Sequence, residues 1–184
     1  VRPLYLSRMS ESFARLLIEQ GRFNEARTLL RQSIAEQLAG GARASSTVVG
    51  NMRMLLAIIA MIEGNWQEAG VLHEERIEGV RAATNLNLAK SRSDLSAAWG
   101  YTLLRLGQVD RALDVLGQLR RTFEERYDKD SFFLWEARAF HALALAAAGH
   151  REAALRELSV AVPRVVELGH GERSSSDAGV MRTA

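Results

Sequence analysis

The sequence contains no cysteine. Disulfides, thiolate metal centres and thiol nucleophiles are excluded, and the chain carries no redox signature of a compartment. Proline is nearly as scarce, with two residues in 184, so long stretches lack the residue that breaks helices. Among the cations lysine is rare: only Lys90 and Lys129 are present, and the rest are arginine. Charge of one sign is lacking as well. The formal net charge is +2, and basic residues are interleaved with acids, as in "RRTFEERYDKD". That pattern describes solvated helix faces, not a nucleic-acid-binding stripe, so no direct nucleic-acid partner is expected. The longest apolar run, "MLLAIIAMI" (Met54 to Ile62), is far short of the roughly 20 residues that span a bilayer, and no membrane association is expected. No signal-peptide pattern opens the chain, which points to the cytoplasm. Val1 in place of an initiating methionine points to a piece of a longer protein.

Motifs that carry chemistry are also missing. The four histidines, His73, His141, His150 and His170, are never four residues apart. His73-Glu74-Glu75 lacks the second histidine of an H-E-x-x-H helix, so no metal is expected. His141 reads as a hydrogen-bonded core histidine facing a helix pair. "GGARASS" has neither the lysine nor the preceding strand of a phosphate-binding loop and reads as a linker. "SSSD" (Ser174 to Asp177) has a serine beside an acid but no orienting base, and reads as a turn or cap. No G-x-S-x-G elbow occurs. No catalytic residue, cofactor or metal is assigned.

What is present is a repeat. Gly21, Gly64, Gly107 and Gly149 are separated by 43, 43 and 42 residues. Five residues after each stands an alanine: Ala26, Ala69, Ala112 and Ala154. Seven residues before each stands a small residue: Ala14, Ala57, Gly100 and Ala142. Two residues after come Phe23, Trp66, Val109 and Arg151, bulky and apolar in three of four. A period held this closely marks an array of one supersecondary unit. Helical patterns such as "FARLLIEQ" and "WGYTLLRL" precede each glycine. The glycine then ends the helix in a left-handed conformation that a side chain resists, so Gly64 is expected at positive φ. A second helix starts at once. "RFNEARTLLRQSIAEQL" puts Ala26, Leu29, Leu30, Ile34 and Leu38 on one face, and "RALDVLGQLRRTF" does the same with Ala112, Val115, Leu116, Leu119 and Phe123. Asn65 with Glu68 three residues on reads as a capping box, and Asp130 or Ser131 as the cap of a later helix. The small positions let antiparallel helices approach closely, with Trp66 as a wedge beside the turn. Linkers are expected at "AGGARASS", "ATNLN" and "DKDS", with units at about 4–44, 45–86, 87–129 and 130–168 forming one array and 169–184 a loop followed by the start of a further helix.

The glycine and the two small positions resemble the tetratricopeptide repeat (TPR), over roughly Leu4 to Leu168. The tryptophan typical of the fourth position is replaced by Ser10, Arg53, Ser96 and Arg138, the usual proline is represented only near Pro163, and the period exceeds the common 34 by about two helical turns. The resemblance implies an all-α, right-handed superhelix of four helix pairs. It also implies a protein or peptide partner bound on the concave face. Carried over by the glycine register, that face would include Arg15, Asn51, Met54, Ile58, Met61, Tyr101 and Arg105, apolar in the middle and bordered by arginines. Self-association through the array ends is an alternative. "AALRELSVAVPRVV", a serine-rich loop and "DAGVMRTA" are similar to the repeat region that precedes CHAT caspase-like peptidase domains in bacteria, which implies a scaffold or sensor module of a larger bacterial protein. Arrays of this type also serve as the sensor part of transcription regulators and signalling-peptide receptors.

Overall fold

Wherever the period places a turn glycine, one helix stops and another begins. The computed structural model describes residues 2–44, 46–82 and 96–169, and all its regular structure is helical. We label the eight described helices α1 (Arg2–Glu19), α2 (Phe23–Ala39), α3 (Thr47–Ile62), α4 (Trp66–Ala82), α5 (Ala97–Arg105), α6 (Val109–Arg126), α7 (Phe132–Ala147) and α8 (Arg151–Gly169). The expected linker "ATNLN", the serine-rich loop, "SSSD" and "DAGVMRTA" lie outside the described residues.

The four turns are copies of one another. Gly21, Gly64, Gly107 and Gly149 have φ of 73°, 75°, 73° and 85°. Around each glycine the same two bonds close the helix end. In the first, Arg22 N donates to Leu17 O at 2.8 Å and Gly21 N to Ile18 O at 2.9 Å; in the second, Asn65 N donates to Ala60 O and Gly64 N to Met61 O. This pair of crossed bonds is the Schellman closure, which needs a residue in the left-handed region. One turn goes further: Glu68 N donates to Asn65 Oδ1 at 3.2 Å, and Asn65 Nδ2 donates to Glu68 Oε2 at 3.0 Å. The expected cap on α7 is weaker. Ser131 holds the N-cap place but its side chain makes no capping bond. Nothing lies within 4 Å of where a Gly64 Cβ would stand, so the backbone angle alone opposes substitution. Gly64→Ala should therefore destabilise by about 1 kcal/mol in urea denaturation; an unchanged or higher midpoint would contradict the turn.

All eight small positions flanking these turns are buried, from Ala14 and Ala26 to Ala142 and Ala154. Of the expected second-helix faces, Ala26 and Leu30 are buried, but Leu38 is exposed, and Ser33 takes a buried place instead. Pro163 lies inside α8, which continues past it to Gly169.

The chain divides into two compact units, Val1–Asp94 and Leu95–Ala184, each holding two helix pairs. In the first, α1 packs on α2 and α3, α2 on α3, and α3 on α4. In the second, α5 packs on α6 and α7, α6 on α7, and α7 on α8. Within each unit, then, successive first helices touch, as in stacked repeats. The core of the second unit joins Ala97, Leu116, Leu119, Ala137, Phe140 and Ala144.

Candidate functional site

Position along a first helix decides what a side chain faces, and the residues chosen by register fall into two groups, one per unit. In the N-terminal unit Arg15 and Asn51 meet at a third residue. Arg15 Nη2 is 3.1 Å from Glu11 Oε1, and Asn51 Nδ2 donates to Glu11 Oε2 at 3.4 Å. Glu11 thus ties α1 to α3 and already neutralises the Arg15 guanidinium. Met54 is half-buried on α3.

Ile58 and Met61 are a correction. They retain only 2% and 3% of their exposure, so no ligand touches them without a rearrangement of the chain. The physical reason lies in the apolar run that contains them. It leaves the C-terminal half of α3, Met54–Ile62, without a polar side chain, and a helical stretch that is apolar all round is buried. The same register positions are half-buried at Arg15 and Ile18 of α1 and exposed at Leu143 and Ala146 of α7. Met52 and Met61 are core methionines.

In the C-terminal unit Tyr101 is half-buried. Its ring meets Phe140 edge-on at 5.9 Å and packs on the core cluster. Arg105, one turn later and exposed, donates from Nη1 to Tyr101 Oη at 3.3 Å. The pair presents a cation carried on a phenol whose ring is held by the core.

Register reasoning did not find the charged ladder between pairs. Arg27 on α2 reaches Glu63 and Glu68 across the next turn. In the other unit Glu124 Oε1 accepts from Arg138 Nε at 3.0 Å and Nη2 at 2.6 Å, and Arg120 lies 3.8 Å from Glu157. His141 makes the hydrogen bond expected of it, with Nδ1 2.9 Å from Glu157 Oε2, but it is half-buried and not a core residue. Its other edge lies over Gly117, where a Cβ would come 3.6 Å from Nε2. Beside it is a surface hollow of about 380 Å³ lined by Asp110, Asp114, Gly117, Arg121, His141 and His150 among others. No hydroxyl or thiol lines it, so the histidine–carboxylate pair has no nucleophile to activate there. Among the described residues no three His, Asp or Glu side chains converge on a metal position, and no helix is long and apolar enough to cross a membrane.

His73 is the other histidine with an unusual setting. It is fully buried on α4, and burial, with the Arg76 cation adding to it, pushes its pKa down to about 3.

No protein-family model matches the chain, and no curated protein matches it. Solved structures do. The chain is similar to the nearly identical TPR-like repeats of a kinesin light chain-like protein of Podosopora anserina. A single-substitution variant of those repeats aligns with a TM-score of 0.64 at 21% identity, covering 89% of this chain and 76% of that one. The unsubstituted form aligns with a TM-score of 0.61 at 22% identity, covering 91% and 77%. At this identity the likeness is one of fold: an all-α array of TPR-like helix pairs.

Proposed function

We propose that this chain is a protein- or peptide-binding repeat module of a larger, cytoplasmic bacterial protein, with its four helix pairs working as one array. The observation that carries the reading is the helix-pair fold itself, in which successive first helices lie side by side within each unit and leave polar and apolar side chains half-buried or exposed. Arg15, Asn51 and Met54 on α1 and α3, and Tyr101 and Arg105 on α5, are the contact residues we assign. Tyr101 has the character of an interface anchor, a large amphipathic ring at low conformational cost, while Arg105 sets orientation and encounter rate. No catalytic step is assigned to the chain. A CHAT peptidase in the same reading frame would make the module a scaffold or sensor for that enzyme; a DNA-binding domain there would make it the sensor of a transcription regulator.

The test uses a partner drawn from the parent protein or its neighbours. Tyr101→Ala should weaken binding by about 1 kcal/mol or more, whereas Tyr101→Phe, which keeps the packing on Phe140, should lose less. Arg105→Glu should weaken binding mainly at low salt, because an exposed charge is screened within about 10 Å at 0.1 M. Hydrogen exchange locates the surface. Protection confined to α2, α4, α6 and α8, with α1, α3, α5 and α7 unchanged, would rule the first-helix surface out.

A further inference from the structure

The groove between a second helix and the turn of the following pair is built differently in the two units. In the N-terminal unit arginines cross it. Arg27 and Arg31 stand six and ten residues after Gly21 and extend from α2. Arg27 meets Glu63 and Glu68, and Arg31 Nη2 lies 3.2 Å from Glu68 Oε1. Those acids stand one residue before Gly64 and four after it. In the C-terminal unit all four register positions have lost their charge. They are Leu113 and Gly117 on α6, and Ala148 and Ala153 beside Gly149. The hollow of about 380 Å³ lies here, between two successive helix pairs and not at an end of the chain.

Carboxylates reappear on the other wall of this groove. Asp110 and Asp114 of α6 line the hollow where the first unit has Asn24 and Thr28. Both are exposed. Asp114 accepts from Gln118 Nε2 at 2.8 Å, and among the described residues neither carboxylate has an ion pair. Leu113 and Leu145, both half-buried, supply the apolar part of the lining. His150 takes the place of Asn65. Arg121 bounds the far end: it stands seven residues beyond Asp114, and its Nη1 is 3.8 Å from where a Gly117 Cβ would lie.

We propose that the hollow receives the guanidinium of an arginine carried by a protein partner, in the groove where the first unit inserts its own. The carboxylates have changed walls and the arginines have gone, so the acceptors are present without their intramolecular cation. Asp110 and Asp114 are one helical turn apart on the same face of α6, and both can accept N–H groups from one guanidinium in charge-assisted bonds. The aliphatic stem of the incoming side chain lies on Leu113 and Leu145. Gly117 presents no side chain at the position from which Arg31 reaches into the first groove. The site uses neither Tyr101 nor Arg105, so its test is independent of theirs.

Nuclear magnetic resonance of the nitrogen-15-labelled 184-residue chain tests this. The probe is N-acetyl-arginine amide, a peptide-like arginine without terminal charges, and its control is the citrulline counterpart, which keeps the shape and lacks the charge. The arginine probe should shift the amides around Asp110–Gly117 and Leu145–His150 and saturate, with a dissociation constant on the order of 1–10 mM, as suits exposed carboxylates. The citrulline probe should not. The double variant Asp110→Asn/Asp114→Asn, changed at two exposed positions, should bind the arginine probe roughly tenfold more weakly. Gly117→Arg should abolish binding by supplying the guanidinium from within, and the site tolerates the change, since the nearest atoms lie 3.6 Å or more from the new Cβ. Equal shifts from the two probes, an unweakened double variant, or shifts that never saturate would overturn the proposal. Free L-arginine binding much more tightly than the capped form would also overturn it, because the site would then belong to a small zwitterion and not to a partner's side chain.

Discussion

Acidification from pH 6.5 toward pH 3 should strip on the order of 4 kcal/mol from the stability of the folded chain through His73 alone. The side chain is fully buried on α4, and burial first, the Arg76 cation second, holds its pKa near 3 against an ordinary value of 6.5. The sign follows from proton counting. Above pH 6.5 the imidazole is neutral in both states and nothing changes. Between 6.5 and about 3 the unfolded chain binds a proton that the folded chain refuses, so stability falls as pH falls, by up to about 1.4 kcal/mol per pH unit. Below about 3 both states bind it and the loss stops growing. Register supplies the control. His73 stands nine residues after Gly64, and the equivalent residues are Leu30, Leu116 and Leu158, of which the first two are fully buried. In His73→Leu this part of the pH dependence should vanish. Measured by urea denaturation at pH 7 and pH 4, the wild-type chain should lose about 3 kcal/mol more than the variant. Parallel pH profiles for the two proteins would show that His73 accepts its proton inside the fold.

Shortening Leu116 to alanine should cost about 2–5 kcal/mol, since the side chain is fully buried in the core of the second unit. A glycine packed against it makes the site more informative. Gly100 occupies the small position that Ala14, Ala57 and Ala142 fill in the other repeats, and a Cβ there would fall 2.3 Å from Leu116 Cγ and Cδ2. Gly100→Ala should therefore destabilise by about 1–3 kcal/mol, even though alanine favours a helix interior over glycine by about 1 kcal/mol. The double variant should be less destabilised than the sum of the two, by at least about 0.5 kcal/mol, because the new methyl enters the space the leucine vacates. Strict additivity, or a stabilised Gly100→Ala protein, would mean that the two residues do not share that space.

The glycine period made the turns, the helix pairs and the eight close-contact positions legible in the sequence, because each depends on bonds and sterics within one repeat. Asn65 with Glu68 was legible for the same reason. What escaped depends on neighbours distant in the chain. The Arg27 pairs with Glu63 and Glu68, and the meeting of Glu11 with Asn51, join residues about a repeat apart, and many arginines and acids could have paired. Gly41, at φ 87°, ends α2 with a left-handed residue that falls outside the glycine register. Ile58 and Met61 show the limit of carrying a surface over by position. Register places a side chain on a face of its own helix, but the breadth of the apolar run decides whether that face remains open.

The crossed turn bonds described for Gly21 and Gly64 place two helices back to back with only a few residues between them, and each described helix packs chiefly on its neighbours in sequence. The resulting contact order is low, and little loop-closure entropy stands between the unfolded chain and its first native contacts. Folding can nucleate in any helix pair and spread to the adjoining one, on the microsecond-to-millisecond scale of local helical topologies. A substitution such as Gly64→Ala would then slow folding only where its own turn belongs to the nucleus, and elsewhere would chiefly speed unfolding.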